Sequence, residues 1–376
     1  MTRVLVDLLF YTGTKGGMES YVREVYSRFR ADDPELSFLG LASTELSATG
    51  APWFPGHLID SGISGDNRVA WARGELGAVR RWARRVRADV VHAPANFGPR
   101  SSPVPLVITV HDLLAFRHPE WVPGAYSGAI RWMIRGAARA ATRVLTVSEA
   151  SAQDIVAILG VPRDRVEVIP LAGNPPPRHT SGVRAASPAT VPVHPTPARP
   201  HLVAVGNRMP HKGFTTLLDA LALIDSAERP TLTITGSHGR DPLTPHVRRL
   251  GLEKWVSLRG WLSRTDLDDL YTTATALVFP SRFEGFGLPP LEAMARGCPV
   301  IVSDLPVLHE VTGDAARYIN PLDPANIAAA IREVCASSAL RDQMSRAGLV
   351  RAATFSWDAT ATATRAGLLV AASRPA

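Results

Sequence analysis

Cysteine is nearly absent. Two residues, Cys298 and Cys335, in a chain of 376 exclude a disulfide framework and fit a reducing, cytoplasmic compartment. Long apolar runs are also missing, so nothing in the sequence is expected to span a bilayer. The first apolar stretch, Val4 to Tyr11, is interrupted by Asp7 and carries no signal-peptide cleavage pattern. A soluble or peripheral protein is therefore expected, cytoplasmic and with possible contact at the inner membrane face. No zinc spacing, RNP motif or helix-turn-helix is present, and no nucleic-acid partner is expected. Acidic residues are outnumbered: the net charge is +7 and the pI near 9.9, which favours anionic partners. A bias toward arginine and alanine can account for that charge by itself.

What is present is an alternation of short apolar strands with helices. At 45% hydrophobic and 20% charged residues, the chain has material for two domains with separate cores. Strands are expected at 4–11, 36–41, 90–92, 106–110 and 144–147 in the first half. In the second they are expected at 201–205, 231–235, 256–258, 277–279 and 300–302. Such alternation predicts an α/β protein of two doubly wound sheets. The expected division is residues 1–170, a linker at 171–200 rich in Pro, Ser, Thr and Ala, residues 201–354, and a terminal helix over 355–376.

The most informative stretch is Phe279 to Asp304, FPSRFEGFGLPPLEAMARGCPVIVSD. A buried strand leads into a loop in which Gly285 and Gly287 flank Phe286. Leu288 follows, and Pro289 and Pro290 then open a helix that stops at Gly297. Backbone N–H groups and a helix dipole at the carboxyl edge of a sheet make an anion site. Glu284 lies in the loop and Glu292 in the first helical turn. Each has a plain alternative, a solvated loop acid and a complement to the dipole.

The Gly-Phe-Gly loop, the paired prolines and the spacing of the two glutamates resemble the E-x7-E signature of retaining GT-B glycosyltransferases of family 4. The resemblance covers nearly the whole chain and is most specific in the second half. It implies two Rossmann-like domains facing an interdomain cleft. The first would bind the acceptor and the second a nucleotide diphosphate sugar, with transfer that retains anomeric configuration. The terminal helix would cross back to the first domain.

Other segments fit this pattern. Gly206-Asn-Arg208-Met-Pro-His-Lys212-Gly213 is a glycine-bounded loop with two cations ahead of a helix, suited to a diphosphate, with an ordinary surface loop as the plain alternative. One such charge at about 4 Å is worth on the order of 4 kcal/mol at an effective dielectric of 20, before desolvation. The segment is similar to the family's donor-phosphate loop, with Lys212 at its lysine. Gly16 and Gly17 end a TGTKGG turn that matches the family's donor-facing glycines and reads equally as a tight turn. Gly236 closes the strand at 231–235, and Gly260 lies in a turn that the family places against the nucleobase. His111 ends the strand at 106–110 in an ITVHDL context, where the family uses a histidine on the transferred sugar; Asp112 beside it reads as a local cap.

The resemblance thus implies catalytic roles for His111, Glu284, Arg208 and Lys212. Donor contacts would come from these segments and from Gly285, Phe286, Gly287, Leu288 and Glu292. No cofactor is expected beyond the donor substrate. Asp266 and Asp268 formally match a D-x-D metal motif but follow a Ser263 cap in a first helical turn, so no metal is expected. The GNRMPHKG and ITVHDL segments look most like mannosyltransferase-type members, which points to GDP-mannose first and a UDP- or dTDP-hexose second. The acceptor could be a saccharide, a lipid-linked saccharide or a small molecule. A GT-B-fold epimerase and a non-catalytic nucleotide-sugar-binding protein remain as rivals. Finally, the arginine-rich helix over 68–87 reads as a solvated surface helix with Trp71 and Trp82 turned inward, or as a face for an anionic membrane.

Overall fold

A computed structural model describes residues 1–14, 16–122, 124–173 and 199–373. Most of the expected linker, residues 174–198, lies outside these. The chain forms two compact units, Met1–Leu171 with Ser356–Ala376, and Ala172–Phe355.

In the first unit seven strands form one parallel sheet: β1 (Thr2–Leu8), β2 (Leu36–Ala42), β3 (His57–Asp60), β4 (Val90–Ala93), β5 (Leu106–Val110), β6 (Arg143–Thr146) and β7 (Val166–Val168). Their order is β3-β2-β1-β4-β5-β6-β7, so the winding reverses between β1 and β4. Val4, Leu5, Val6, Val90, Val91 and Ile108 are wholly buried, which is why the strands read as continuous apolar runs. The first strand is shorter than the expected 4–11. It ends at Leu8 because the Leu9 N–H turns back to Asp7 Oδ1 (3.2 Å). β3 was not legible, since its sequence HLID is partly exposed and has no buried apolar pattern.

The stretch from Arg68 to Arg85 is helical throughout, with a π-helical segment at Gly74–Ala78 between two α-helical ones. Glu75 in that segment is buried and hydrogen-bonds Asp7 on β1. Burial pushes both carboxyls above the ordinary range, and the Asp7 charge raises Glu75 further. The terminal helix Trp357–Ala372 packs on this unit through Trp357, Leu368 and Ala371, and Ser356 caps it. Arg365 on that helix pairs with Asp33 (2.9 Å) and Glu35 (2.7 Å). The guanidinium holds the Asp33 carboxyl at about 2.

The second unit contains β8 (His201–Val205), β9 (Thr231–Ser237), β10 (Val256–Gly260), β11 (Ala276–Phe279), β12 (Val300–Ser303) and β13 (Ala316–Ile319). This sheet is also parallel, in the order β10-β9-β8-β11-β12-β13, and it reverses between β8 and β11. Each unit is therefore a doubly wound, Rossmann-like domain, as expected from the alternation of elements.

Candidate active site

In open parallel sheets, ligands bind beyond the carboxyl ends of the strands where the winding reverses. In the second unit that point is held by the loops after β8 and β11. The first runs from Gly206 through a 3-10 turn at Pro210–Lys212 into the helix Phe214–Ala222. Gly213 has φ 67°, and a Cβ there would lie 2.1 Å from the Pro280 carbonyl oxygen, so only glycine lets the two loops touch. Across that contact the Arg282 N–H donates to the His211 carbonyl (2.7 Å). Beside it Lys212 Nζ donates to Glu284 Oε1 at 2.6 Å, with the side chains only 14% and 12% exposed. Two residues far apart in sequence, both expected at the donor site, thus form one shielded ion pair at the switch point.

Arg208 has partners of its own. It lies in the same loop, but its guanidinium turns into the protein and is 7% exposed. Nε and Nη2 donate to Asp241 (Nη2–Oδ2 2.7 Å), and Nη1 donates to the carbonyls of Gly206 and Thr235 (3.0 Å each). Nη2 also reaches the Ile234 carbonyl (3.2 Å). All five N–H groups are engaged within the protein. Its neighbours show why: β8 and β9 end with three carbonyls and Asp241 around one point, and a guanidinium satisfies all of them. Asp241 was not legible as its partner.

Gly236 and Gly260 form the wall next to this clasp. A Cβ on Gly236 would lie 2.5 Å from the Gly206 carbonyl oxygen. Thr235 Oγ1 donates to the Gly260 carbonyl (2.7 Å). Trp261 beyond it is 54% exposed and stacks on His238, centroids 5.4 Å apart, an aromatic platform that sequence reading missed.

After Glu284, Gly285 leads to Phe286, which is buried against Phe355 with ring centroids 6.0 Å apart. Phe286 is therefore an anchor under the loop. Gly287 caps the helix Leu288–Met294. Glu292 is half-buried on that helix, and its charge helps raise the hydroxyl pKa of buried Tyr271, behind the larger effect of burial. Asp266 and Asp268 diverge: Asp266 belongs to the Ser263 cap, and Asp268 pairs with Arg296.

In the first unit Gly16 (φ 63°) and Gly17 lead into the helix Gly17–Tyr26. Buried Glu19 holds the preceding turn by accepting from the N–H groups of Thr12 (2.7 Å) and Gly13 (3.0 Å). His111 follows β5 and is 8% exposed. Its Nε2 donates to the Pro94 carbonyl (2.8 Å), which fixes the tautomer and leaves Nδ1 as the acceptor. Burial lowers its pKa to about 4, so the ring is neutral at physiological pH. Asn96, at φ 63°, accepts from the His111 N–H (2.5 Å) and is a positioning residue that the sequence did not reveal. Asp112 caps its own turn through the Leu114 N–H (3.0 Å). Near the reversal between β1 and β4 lies a cavity of about 330 Å³, lined by Phe10, Met18, Asp66, Trp71 and Phe97.

Comparison with known proteins decides the family. Residues 15–172 match the profile described as Glycosyltransferase Family 4, and residues 193–351 match Glycosyl transferases group 1. O-antigen chain mannosyltransferase B of Escherichia coli is 32% identical over 294 residues, which is 75% of each chain. The chain belongs to glycosyltransferase family 4. Glycogen synthase of Mycobacterium tuberculosis is 31% identical over 305 residues, 77% of this chain and 70% of the relative. In fold, this glycosyltransferase resembles sucrose-phosphate synthase from Thermosynechococcus elongatus, with a TM-score of 0.76 at 19% identity over 99% of this chain and 100% of that one. The transferase thus has the GT-B fold.

Proposed function

We propose that this glycosyltransferase moves a hexose, with mannose the first reading, from a nucleoside diphosphate sugar to a hydroxyl of a saccharide, lipid-linked or small-molecule acceptor. Anomeric configuration is retained and no metal takes part. The observation that carries the reading is the Lys212–Glu284 pair at the switch point of the second sheet. A diphosphate arriving there takes Lys212 as its counter-ion. Glu284 is released to accept hydroxyls of the sugar, and Glu292 accepts from the ribose. As the bond between C1 and the phosphate oxygen breaks, negative charge grows on the phosphate. Lys212 and the backbone N–H groups around 285–288 stabilise it. The acceptor oxygen bonds to C1 on the same face, and its proton passes to the departing phosphate. Arg208 acts by holding the loop that carries Lys212. His111 contacts the sugar as a neutral ring or through its carbonyl.

The mannose reading draws on the name of the Escherichia coli relative. The glycogen synthase relative keeps a glucosyl donor as the second reading. Thermal shift and nucleotide release are measured across GDP-mannose and UDP- and dTDP-hexoses, followed by acceptor screening and NMR of the product's anomeric coupling. A donor that stabilises the protein and yields an α-linked product from an α-linked donor supports the proposal. Binding without transfer to any acceptor points to a non-catalytic protein, and inversion at C1 removes the mechanism.

A further inference from the structure

Six arginines on one helical stretch of the first unit have no role in the chemistry above. Arg73, Arg80, Arg81, Arg84, Arg85 and Arg87 are all exposed. The single carboxylate between Arg68 and Arg87 is Glu75, and it points inward to Asp7. Among the described residues none of the six arginines has a carboxylate partner, whereas Arg28, Arg117, Arg163 and Arg365 elsewhere on this unit do. Arg80, Arg81, Arg84 and Arg85 line, with Leu76 and Gly77, an open depression of about 620 Å³. Apolar side chains stand among these cations: Val69 is 63% exposed and Leu76 41%. Trp82 is half-buried, with the Arg85 guanidinium 4.7 Å above its ring. The opposite face is anchored by Trp71, Val79 and Ala83, all buried, and by the Glu75–Asp7 hydrogen bond.

We infer that this helix docks the protein on a bilayer surface rich in anionic phospholipid. Charge complementarity selects the phosphate layer: a row of cations without carboxylate partners on one helix is drawn to such a surface. The interspersed Val69 and Leu76 select a bilayer over a soluble polyanion, because they enter the headgroup–acyl boundary, where a nucleic acid or acidic polysaccharide offers them nothing. The stacked Arg85–Trp82 pair suits the same depth, with the indole at the interface and the guanidinium on phosphate. The inference does not depend on which sugar is transferred.

The test is flotation of the full-length protein with vesicles of phosphatidylcholine alone or with about one third phosphatidylglycerol, free of any sugar donor or acceptor. The variant Arg80→Glu/Arg81→Glu/Arg84→Glu leaves the Arg85–Trp82 stack in place. A control of equal charge change carries Arg248→Glu/Arg332→Glu/Arg346→Glu, all exposed on the second unit. Circular dichroism and thermal melting confirm that both are folded. The wild type and the control are expected to float with anionic vesicles at low salt and to be released at about 0.5 M salt. The helix variant should partition at least ten-fold less, a conservative bound on three lost arginine contacts. No flotation, equal flotation with neutral vesicles, or equal loss in both variants would overturn the inference. Retention on heparin without flotation would do so in favour of a soluble polyanion.

Discussion

Replacing Lys212 by alanine separates two quantities that the structure joins. Among the described residues the ammonium is the ion-pair partner of a Glu284 carboxylate that is 12% exposed, at 2.6 Å. Removing it strands that charge in a shielded site, a change that costs about 3–5 kcal/mol. For a unit of this size that corresponds to a fall in melting temperature on the order of 10 °C. Adding Glu284→Gln removes the stranded charge, so the double variant should recover most of the lost stability. Activity should not follow. Both variants lack the cation that meets the departing diphosphate, and transfer should drop by roughly 10²-fold or more in each. The assay pairs thermal denaturation with nucleotide release, with and without donor. At donor near 100 times its Kd the wild type gains about 2.7 kcal/mol, a shift that Lys212→Ala should lack. Lys212→Ala that melts normally and turns over within a few-fold of wild type refutes the donor assignment. A double variant as unstable as the single one refutes the ion-pair account.

Arg208→Met should act chiefly on stability, by about 3–5 kcal/mol, because it leaves the shielded Asp241 carboxylate without its guanidinium counter-ion. Asp241→Asn should lower the melting temperature less but raise KM for donor in parallel, as displacement of the Lys212 loop requires. His92 and His111 have pKa values lowered by burial from 6.5 to about 3 and about 4. Below pH 6.5 the unfolded chain binds protons that the fold refuses, so their contribution to stability declines as pH falls from 6.5 to about 4, by roughly 1.4 kcal/mol per pH unit each. Nitrogen NMR should find both rings neutral at pH 5.5, and a protonated ring there would refute the assigned environment. Leu368→Ala, at a wholly buried position of the terminal helix, should cost about 2–5 kcal/mol in urea denaturation of the first unit. A change within 0.5 kcal/mol would show that this helix does not share the core.

The two sheets and the glycine-bounded loops were legible because each follows from local chemistry. Buried parallel strands must be apolar on both faces, sharp turns beside a ligand need glycine, and helix starts accept proline. Sequence could not assign Arg208. A cation in a glycine loop looks the same whether it faces solvent or the carbonyls of the next strand, and Asp241, thirty-three residues away, makes the choice. For the same reason Glu19, Asn96 and His238 carried no signal, since their partners are adjacent only after the chain folds. Nor did sequence distinguish a solvated arginine helix from a docking face. That depended on Glu75 turning inward to Asp7, which removes the single negative charge from the outer surface. Periodicity and turn chemistry are local and survive in one dimension. The pairing of charges depends on distances of a few ångströms between remote segments, and only tertiary packing sets those.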